Sequence, residues 1–505
     1  MAATPRVELN LDVLKHTLSL VDKRSDLLAL MRSCHALYAA GIQPLVRLPI
    51  VITNQHIRSF HAFMLAHSPM TFVAFTSFDF FVWNASKVSD ADIPLLTELL
   101  KRGINLRRLR LDPGILEDHT DLCKYIAELT KLEDLDIQGE AYDAVHLILA
   151  RLQSPLTTLH VWFEDDDFED PVPLLANFRH TLQKANISYV RFGSVEIRYP
   201  MLTELEVDTC DPPALSVLTT AVPNLKKLRI DTGGRFTFLG THTEELDQLR
   251  ADNIAFQEDG NSWSSLVWVT GDITALYAMA LQHQLNSLSI SSVLKSLSED
   301  DVHRLQDVLS TTKTHYLTLV LADNFEHLPQ VFAGIQGPLL HLDLTLSFYN
   351  NNGYDQALVR IRISDLSFAI SERRLSQDNF IKGISPIRTC MLHLKLADYR
   401  GLYTAASHPA ITFLNQTDKK KLINRIANSC SMVECIVLDI QGSVPSFWME
   451  MKSGTLGEKT WTELKQEDFE KAQRSCRVDK DPDVALRTLL AMRKIIGYQA
   501  ELQSA

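Results

Sequence analysis

The chain is poor in the residue combinations that most reactions need. Its 505 residues hold seven cysteines, Cys34, Cys123, Cys210, Cys390, Cys430, Cys435 and Cys476, and no Cys-x-x-Cys pair. That scatter indicates neither a zinc site nor a disulfide framework, and fits reduced thiols in the cytoplasm or nucleus. There is no Gly-x-Gly-x-x-Gly, no P-loop, no Gly-x-Ser-x-Gly elbow and no His-Glu-x-x-His. Nucleotide binding, serine hydrolysis and zinc proteolysis therefore have no recognisable foothold, and no cofactor or metal is expected. No apolar run approaches membrane-spanning length. The opening MAATPRVELNLDV meets acidic residues before any apolar stretch, unlike a signal peptide, so no membrane is expected. A basic excess is missing too. The net charge is −12, which speaks against a nucleic-acid partner.

What the chain has is apolar pattern. Apolar residues make up 46%, enough for a continuous core, and the length suits several domains or one elongated array. The pentapeptide LDIQG occurs at Leu135–Gly139 and again at Leu438–Gly442. Each copy ends a segment of the form Leu-x-x-Leu-x-Leu. Others are LRRLRL from Leu106, LTTLHV from Leu156, LTELEV from Leu202, LKKLRI from Leu225, LNSLSI from Leu285 and LLHLDL from Leu339. Looser ones are YLTLVL from Tyr316, MLHLKL from Met391 and CIVLDI from Cys435. The steps from Leu109 to Leu135, Leu135 to Leu159 and Leu205 to Leu228 are 26, 24 and 23 residues. These lie within the range of leucine-rich repeats, where one short strand and one helix form each unit.

Between these segments the period becomes helical. Ala141, Val145, Ile148, Leu149 and Leu152 make one apolar face, and Leu122, Cys123, Ile126 and Leu129 another. Val302, Leu305 and Leu309 follow Ser298, a candidate N-cap with Asp301 three residues on. Leu422, Ile423, Ile426 and Cys430 make a fourth face after Thr417. The expected fold is α/β, a leucine-rich-repeat solenoid over residues 51–445 with a parallel sheet on its concave side. A doubly wound α/β domain is the alternative. Beyond 445 the repeat stops. Asp481-Pro482 looks like a helix start, so 446–505 is expected to be a helical cap or tail.

Residues 1–50 contain no such repeat. They predict a helix over Asp12–Val21 and a second region starting at Ser25 as N-cap and ending at Gly41, two or three helices in all. Here the residues carry a resemblance. Leu9 matches the opening leucine of an F-box and Asp12 its acidic position. Val13, Leu14, Leu18 and Val21 match its first aliphatic helix. Asp26-Leu27-Leu28 matches the second opening, followed by Met31 and by Arg32, Ser33 and Cys34 in the later helix. Asn10 stands where proline is usual, Thr17 where isoleucine is usual, and the turn at Asp22–Ser25 is one residue longer than common. The stretch resembles the F-box of divergent, fungal-type F-box/leucine-rich-repeat proteins. The resemblance implies that Leu9, Asn10, Asp12, Val13, Leu14, Leu18, Val21, Leu27, Leu28, Met31 and Cys34 contact a Skp-type adaptor, which links to a cullin–RING ubiquitin ligase. The repeats would then hold a target protein. A helical cap over the first repeat is the other reading of residues 9–40.

Side chains alternate along a strand. Arg108 and Arg110, Asp134 and Asp136, Glu204 and Glu206, and Lys227 and Arg229 are therefore expected on the polar face, as cross-strand charge ladders, as a target-binding surface, or as both. FEDDDFED, Phe163–Asp170, reads as a solvated loop. IDTGG, Ile230–Gly234, resembles the aspartic-protease opening but lacks a second copy, and reads as a turn. His56, His61 and His67 are spaced too irregularly to share one helix face. No convergent acid, base or nucleophile emerges, and the chain is expected not to be an enzyme.

Overall fold

A strand whose apolar residues alternate with polar ones offers one face to a core and the other to water. That alternation is what the ten Leu-x-x-Leu-x-Leu segments carry, and each of them contributes a strand. The computed structural model describes residues 10–81, 88–137, 139, 142–163, 168–233, 243–291, 298–322, 328–335, 339–348, 389–398, 418–430, 433–440, 446–452 and 459–464. The fold is mixed α/β with mostly parallel strands. It divides into two compact units, one of Met1–Asp211 and Val217–Leu225, the other of Pro212–Ser216 and Lys226–Ala505.

The first unit begins with three helices, α1 (Leu11–Leu20), α2 (Arg24–Met31) and α3 (His35–Arg47). Two expectations are corrected here. Lys23, not Ser25, is the N-cap of α2, and Ser25 Oγ bonds to the neighbouring Asp26 carboxylate. Gly41 does not end a helix. The chain breaks instead at Arg32–Cys34, and α3 runs through Gly41 and Pro44 to Arg47. Gly41 is used for close approach: a Cβ there would collide with Cγ of Met31 on α2. Leu18, Leu27, Met31 and Leu37 bury one another at the centre of the three helices.

Seven parallel strands follow in chain order: β1 (Ile50–Thr53), β2 (Ser77–Phe81), β3 (Arg108–Leu111), β4 (Asp134–Ile137), β5 (Thr158–Trp162), β6 (Lys184–Val190) and β7 (Glu204–Cys210). Register stacks like on like. Phe78, Leu109, Leu135, Leu159, Ala185 and Leu205 form one buried row, and Phe80, Leu111, Ile137, Val161, Ile187 and Val207 a second. Each fully buried leucine contributes about 2 kcal/mol, so these rows are the main cohesion of the unit. Helices between the strands supply the opposing layer; Val145, Ile148 and Leu149 of the helix Tyr142–Arg151 are fully buried.

The second unit holds β8 (Lys227–Asp231), β9 (Trp268–Gly271), β10 (Gln284–Ser291), β11 (Lys313–Ala322), β12 (Leu339–Phe348), β13 (Thr389–Asp398) and β14 (Cys435–Ile440), all parallel. Gly271 lies in its core row opposite Ile230, where a Cβ would press on the Ile230 carbonyl. The expected helical cap from residue 446 is corrected over its first part. β15 (Ser446–Lys452) and β16 (Lys459–Leu464) are strands that pair antiparallel with β14 and with each other. Adjacent Phe447 and Trp448 are both buried, so both faces of this segment are covered, which a strand paired between β14 and β16 allows. Asp481-Pro482 and the apolar stripe after it lie outside the described residues.

Aspartates recur where the chain enters a helix. Asp112, Asp170, Asp272 and Asp418 each accept a backbone N–H of the following turn, at 3.2, 3.0, 2.7 and 3.2 Å. Ser298 and Asp301 form the expected capping box. Asn253, buried on the helix Thr243–Glu258, accepts from the Leu215 N–H at 2.7 Å and donates to the Ala278 carbonyl at 3.0 Å, tying the start of one helix to the end of another.

Candidate protein-binding face

The residues assigned to an adaptor separate into three groups. Leu9 lies outside the described residues. Asn10, Asp12, Val13 and Cys34 are exposed, Val13 at 57%. Asn10, where an F-box has proline, caps α1 by accepting the Asp12 N–H at 2.9 Å. Leu14, Val21 and Leu28 are half-buried, while Leu18, Leu27 and Met31 belong to the internal core of the three helices. The pattern therefore identified the core of this layer together with part of its surface. The apolar side chains that do face water are Leu11, Val13, Leu20 and Tyr38. Val13 and Leu20 are seven residues apart on α1 and share one stripe. Beside Leu28, a cavity of about 440 Å³ is walled by Leu45, Val46, Ile50, Val51, Phe60 and Phe63.

The polar face of β2–β7 is organised in two rows. Ser77, Arg108, Asp134, Thr158, Lys184 and Glu204 stand side by side, and so do Asp79, Arg110, Asp136, His160, Asn186 and Glu206. Arg110 Nε lies 3.1 Å from the Asp136 carboxylate, and Arg108 Nε lies 3.7 Å from Asp134 and 3.6 Å from Asp79. Lys184 Nζ meets Glu204 at 2.9 Å, and Asn186 Nδ2 donates to Glu206 at 3.3 Å. The expected cross-strand ladder is present between β3 and β4. Glu204 and Glu206 find Lys184 and Asn186 within their own unit. Lys227 and Arg229 stand on β8 opposite Trp268 and Thr270. Sequence reading missed Asp79, Lys184 and Asn186, since β2 and β6 did not fit a leucine template, and it passed over His160 on β5, a strand it did find.

Electrostatics on this face are strained towards neutrality. Burial pushes the Asp134 and Asp136 carboxyls above their ordinary range, against the pull of Arg108 and Arg110. The Arg110 guanidinium rests on the Phe81 ring at 4.8 Å, and Trp162 meets Tyr189 edge-on at 6.3 Å.

The second unit carries different chemistry on the corresponding rows. Ser287, Tyr316, His341 and Met391 align in one row, and Ser289, Thr318, Asp343 and His393 in the next. Burial lowers His341 to about 4, so it is neutral. Burial also opposes ionisation of Asp343, but His393 at 3.5 Å, with Lys395, holds its carboxyl below the usual range.

No protein-family model matches the chain, and a search of curated proteins finds no match. The site must therefore be read on its own chemistry. Among the described residues, no group of three or more His, Cys, Asp or Glu is placed to hold a metal ion. His56, His61 and His67 turn three ways, to Thr53, to Glu98 and to the rings of Tyr38 and Phe63. The Asp-Thr-Gly at 231–233 is a turn: Gly233 has φ of 65° and donates to Asp231, while Thr232 donates to Asp272. In FEDDDFED, residues 164–167 lie outside the described residues, and Glu169 meets His146 at 2.5 Å. No described helix is long and apolar enough to cross a membrane.

Proposed function

We propose that the chain is the substrate receptor of a cullin–RING ubiquitin ligase. Its N-terminal helices dock a Skp-type adaptor as an F-box does, and its strands and helices form an irregular leucine-rich-repeat solenoid that holds a target protein. The receptor performs no chemistry. It raises the concentration of target lysines near the charged transfer enzyme, which is catalysis by proximity. Such a protein works in the cytoplasm or nucleus.

The observation that carries this reading is the combination of a three-helix layer with exposed Val13 and Leu20 and, in the same compact unit, a face of register-aligned charges. Leu11, Val13 and Leu20 give α1 exposed apolar surface of the kind a partner helix can cover. The cavity beside Leu28 offers that partner a mostly apolar recess, lined also by Arg24, His56 and Ser59.

The test is co-purification with a Skp-type adaptor, comparing the wild type with Val13→Asp, Leu20→Asp. Both positions are exposed, so the core of the three helices is spared. Adaptor retained by the wild type and lost from the folded variant supports the receptor. A folded wild type that retains no adaptor rejects it. A second reading, an adaptor-free scaffold whose helices cap the first strand, is favoured by the burial of Leu18, Leu27 and Met31 within their own cluster.

A further inference from the structure

We propose that the polar face of β2–β7 receives an extended, cationic segment of the partner protein, with lysine or arginine at alternate positions lying along β4. This deepens the reading of that face as target-binding and does not depend on the adaptor.

The first argument is charge. The two polar rows hold five carboxylates, Asp79, Asp134, Asp136, Glu204 and Glu206, against the three cations Arg108, Arg110 and Lys184. One of those cations is shared. Arg108 is stretched between Asp79 and Asp134 at 3.6 and 3.7 Å, too long for a good hydrogen bond to either. The second argument is an orphan group. Asp79 is only 6% exposed, and its Oδ1 has no hydrogen-bond partner. In the other polar row, Ser77 Oγ and Arg108 Nε are also buried and make no hydrogen bond. A buried carboxylate oxygen without a donor is costly, and positive charge added to this face offsets that cost through the field. The upward shifts of Asp134 and Asp136 point the same way: the arginines beside them under-compensate their burial.

Geometry selects the shape of the ligand. Asp134 and Asp136 are two residues apart on one strand, about 7 Å along it. An extended peptide repeats its side chains on one side at the same interval. Lysines at alternate positions therefore match the two carboxylates in register. Phe81 and Trp162 flank the rows with aromatic surface for their alkyl stems; Phe81 already carries the Arg110 guanidinium. An acidic excess repels phosphate, so a nucleic acid is the wrong partner for this surface.

The full-length chain is titrated into a fluorescein-labelled alternating lysine–serine octapeptide at low salt, with the glutamate–serine octapeptide as control, and anisotropy is read. The wild type is expected to bind the lysine peptide and not the glutamate one. Asp134→Asn, Asp136→Asn is expected to weaken binding by about tenfold. Arg110→Gln, which frees Asp136 from its internal partner, is expected to strengthen it. Equal binding by the wild type and the double variant means attraction to the net charge of the chain alone, and overturns the proposal. So does absence of binding, or a loss on Arg110→Gln. Adaptor co-purification is measured on the same double variant. Adaptor retained while the peptide is lost separates this face from the helical layer, so failure here is distinguishable from failure of the receptor reading.

Discussion

Asp272 stands where β9 passes into the helix Ile273–Met279, and it serves two segments at once. It accepts from the Ala275 N–H, and from both the N–H and the hydroxyl of Thr232. Burial pushes its carboxyl from 3.8 up to about 6 despite these donors, with the nearby Asp231 adding to the shift. The folded chain thus binds this proton more tightly than the unfolded chain does. The resulting stabilisation is fully present below about pH 4 and is lost as pH rises through about 6. Urea unfolding is expected to show the wild type losing stability relative to Asp272→Asn as pH is raised across that window. A difference between the two that does not change with pH would contradict it. The Asp-Thr-Gly resemblance at 231–233 is explained by the same contacts: the threonine is there for Asp272, and the glycine for a positive φ.

Among the elements, α2 and α3 depend on one small residue. Gly41 lets Met31 reach into α3, so Gly41→Leu is expected to destabilise the three-helix layer by about 1–3 kcal/mol, read as a lowered thermal midpoint. An unchanged midpoint would mean that Met31 can swing aside without cost. Glycine as a helix stop was the natural sequence reading, since nothing in 25–41 announces that the residue is spent on close packing. Most strands were legible because leucine marked them. The others follow the same rule in other residues. β2 is entered by Phe75-x-x-Phe78-x-Phe80, β6 by Leu182-x-x-Ala185-x-Ile187, and β9 by Leu266-x-x-Val269-x-Gly271, with these positions buried. The core accepts Phe, Ala or Gly wherever the opposite layer fits the volume, so a leucine template misses them. Asp79 and Lys184 were missed with their strands. Helix faces fared better, because Val145, Ile148 and Leu149 or Leu122, Cys123 and Ile126 keep a spacing no strand shares.

At the scale of the molecule, the two compact units carry unlike polar rows, salt-bridged carboxylates and arginines in one, hydroxyls and imidazoles in the other. Composition alone hides this, because a net charge of −12 is an average over both. The hairpin at β15–β16 in the second unit has its own importance. β14 is apolar on both faces: Cys435, Ile436, Val437 and Leu438 are all buried. Its backbone is paired on one side by β13 and on the other by β15. A chain stopped at residue 445 would leave one row of N–H and C=O groups open beside those side chains. Such an edge is a template for further strands. The truncated chain is expected to self-associate and scatter light at concentrations where the full chain does not, and a clear, monodisperse truncation would count against it. β16, with Thr462 and Glu463 exposed along it, puts polar residues at that border instead. The antiparallel turn-back therefore acts as insulation: it converts a surface that would recruit copies of itself into one that leaves neighbours alone.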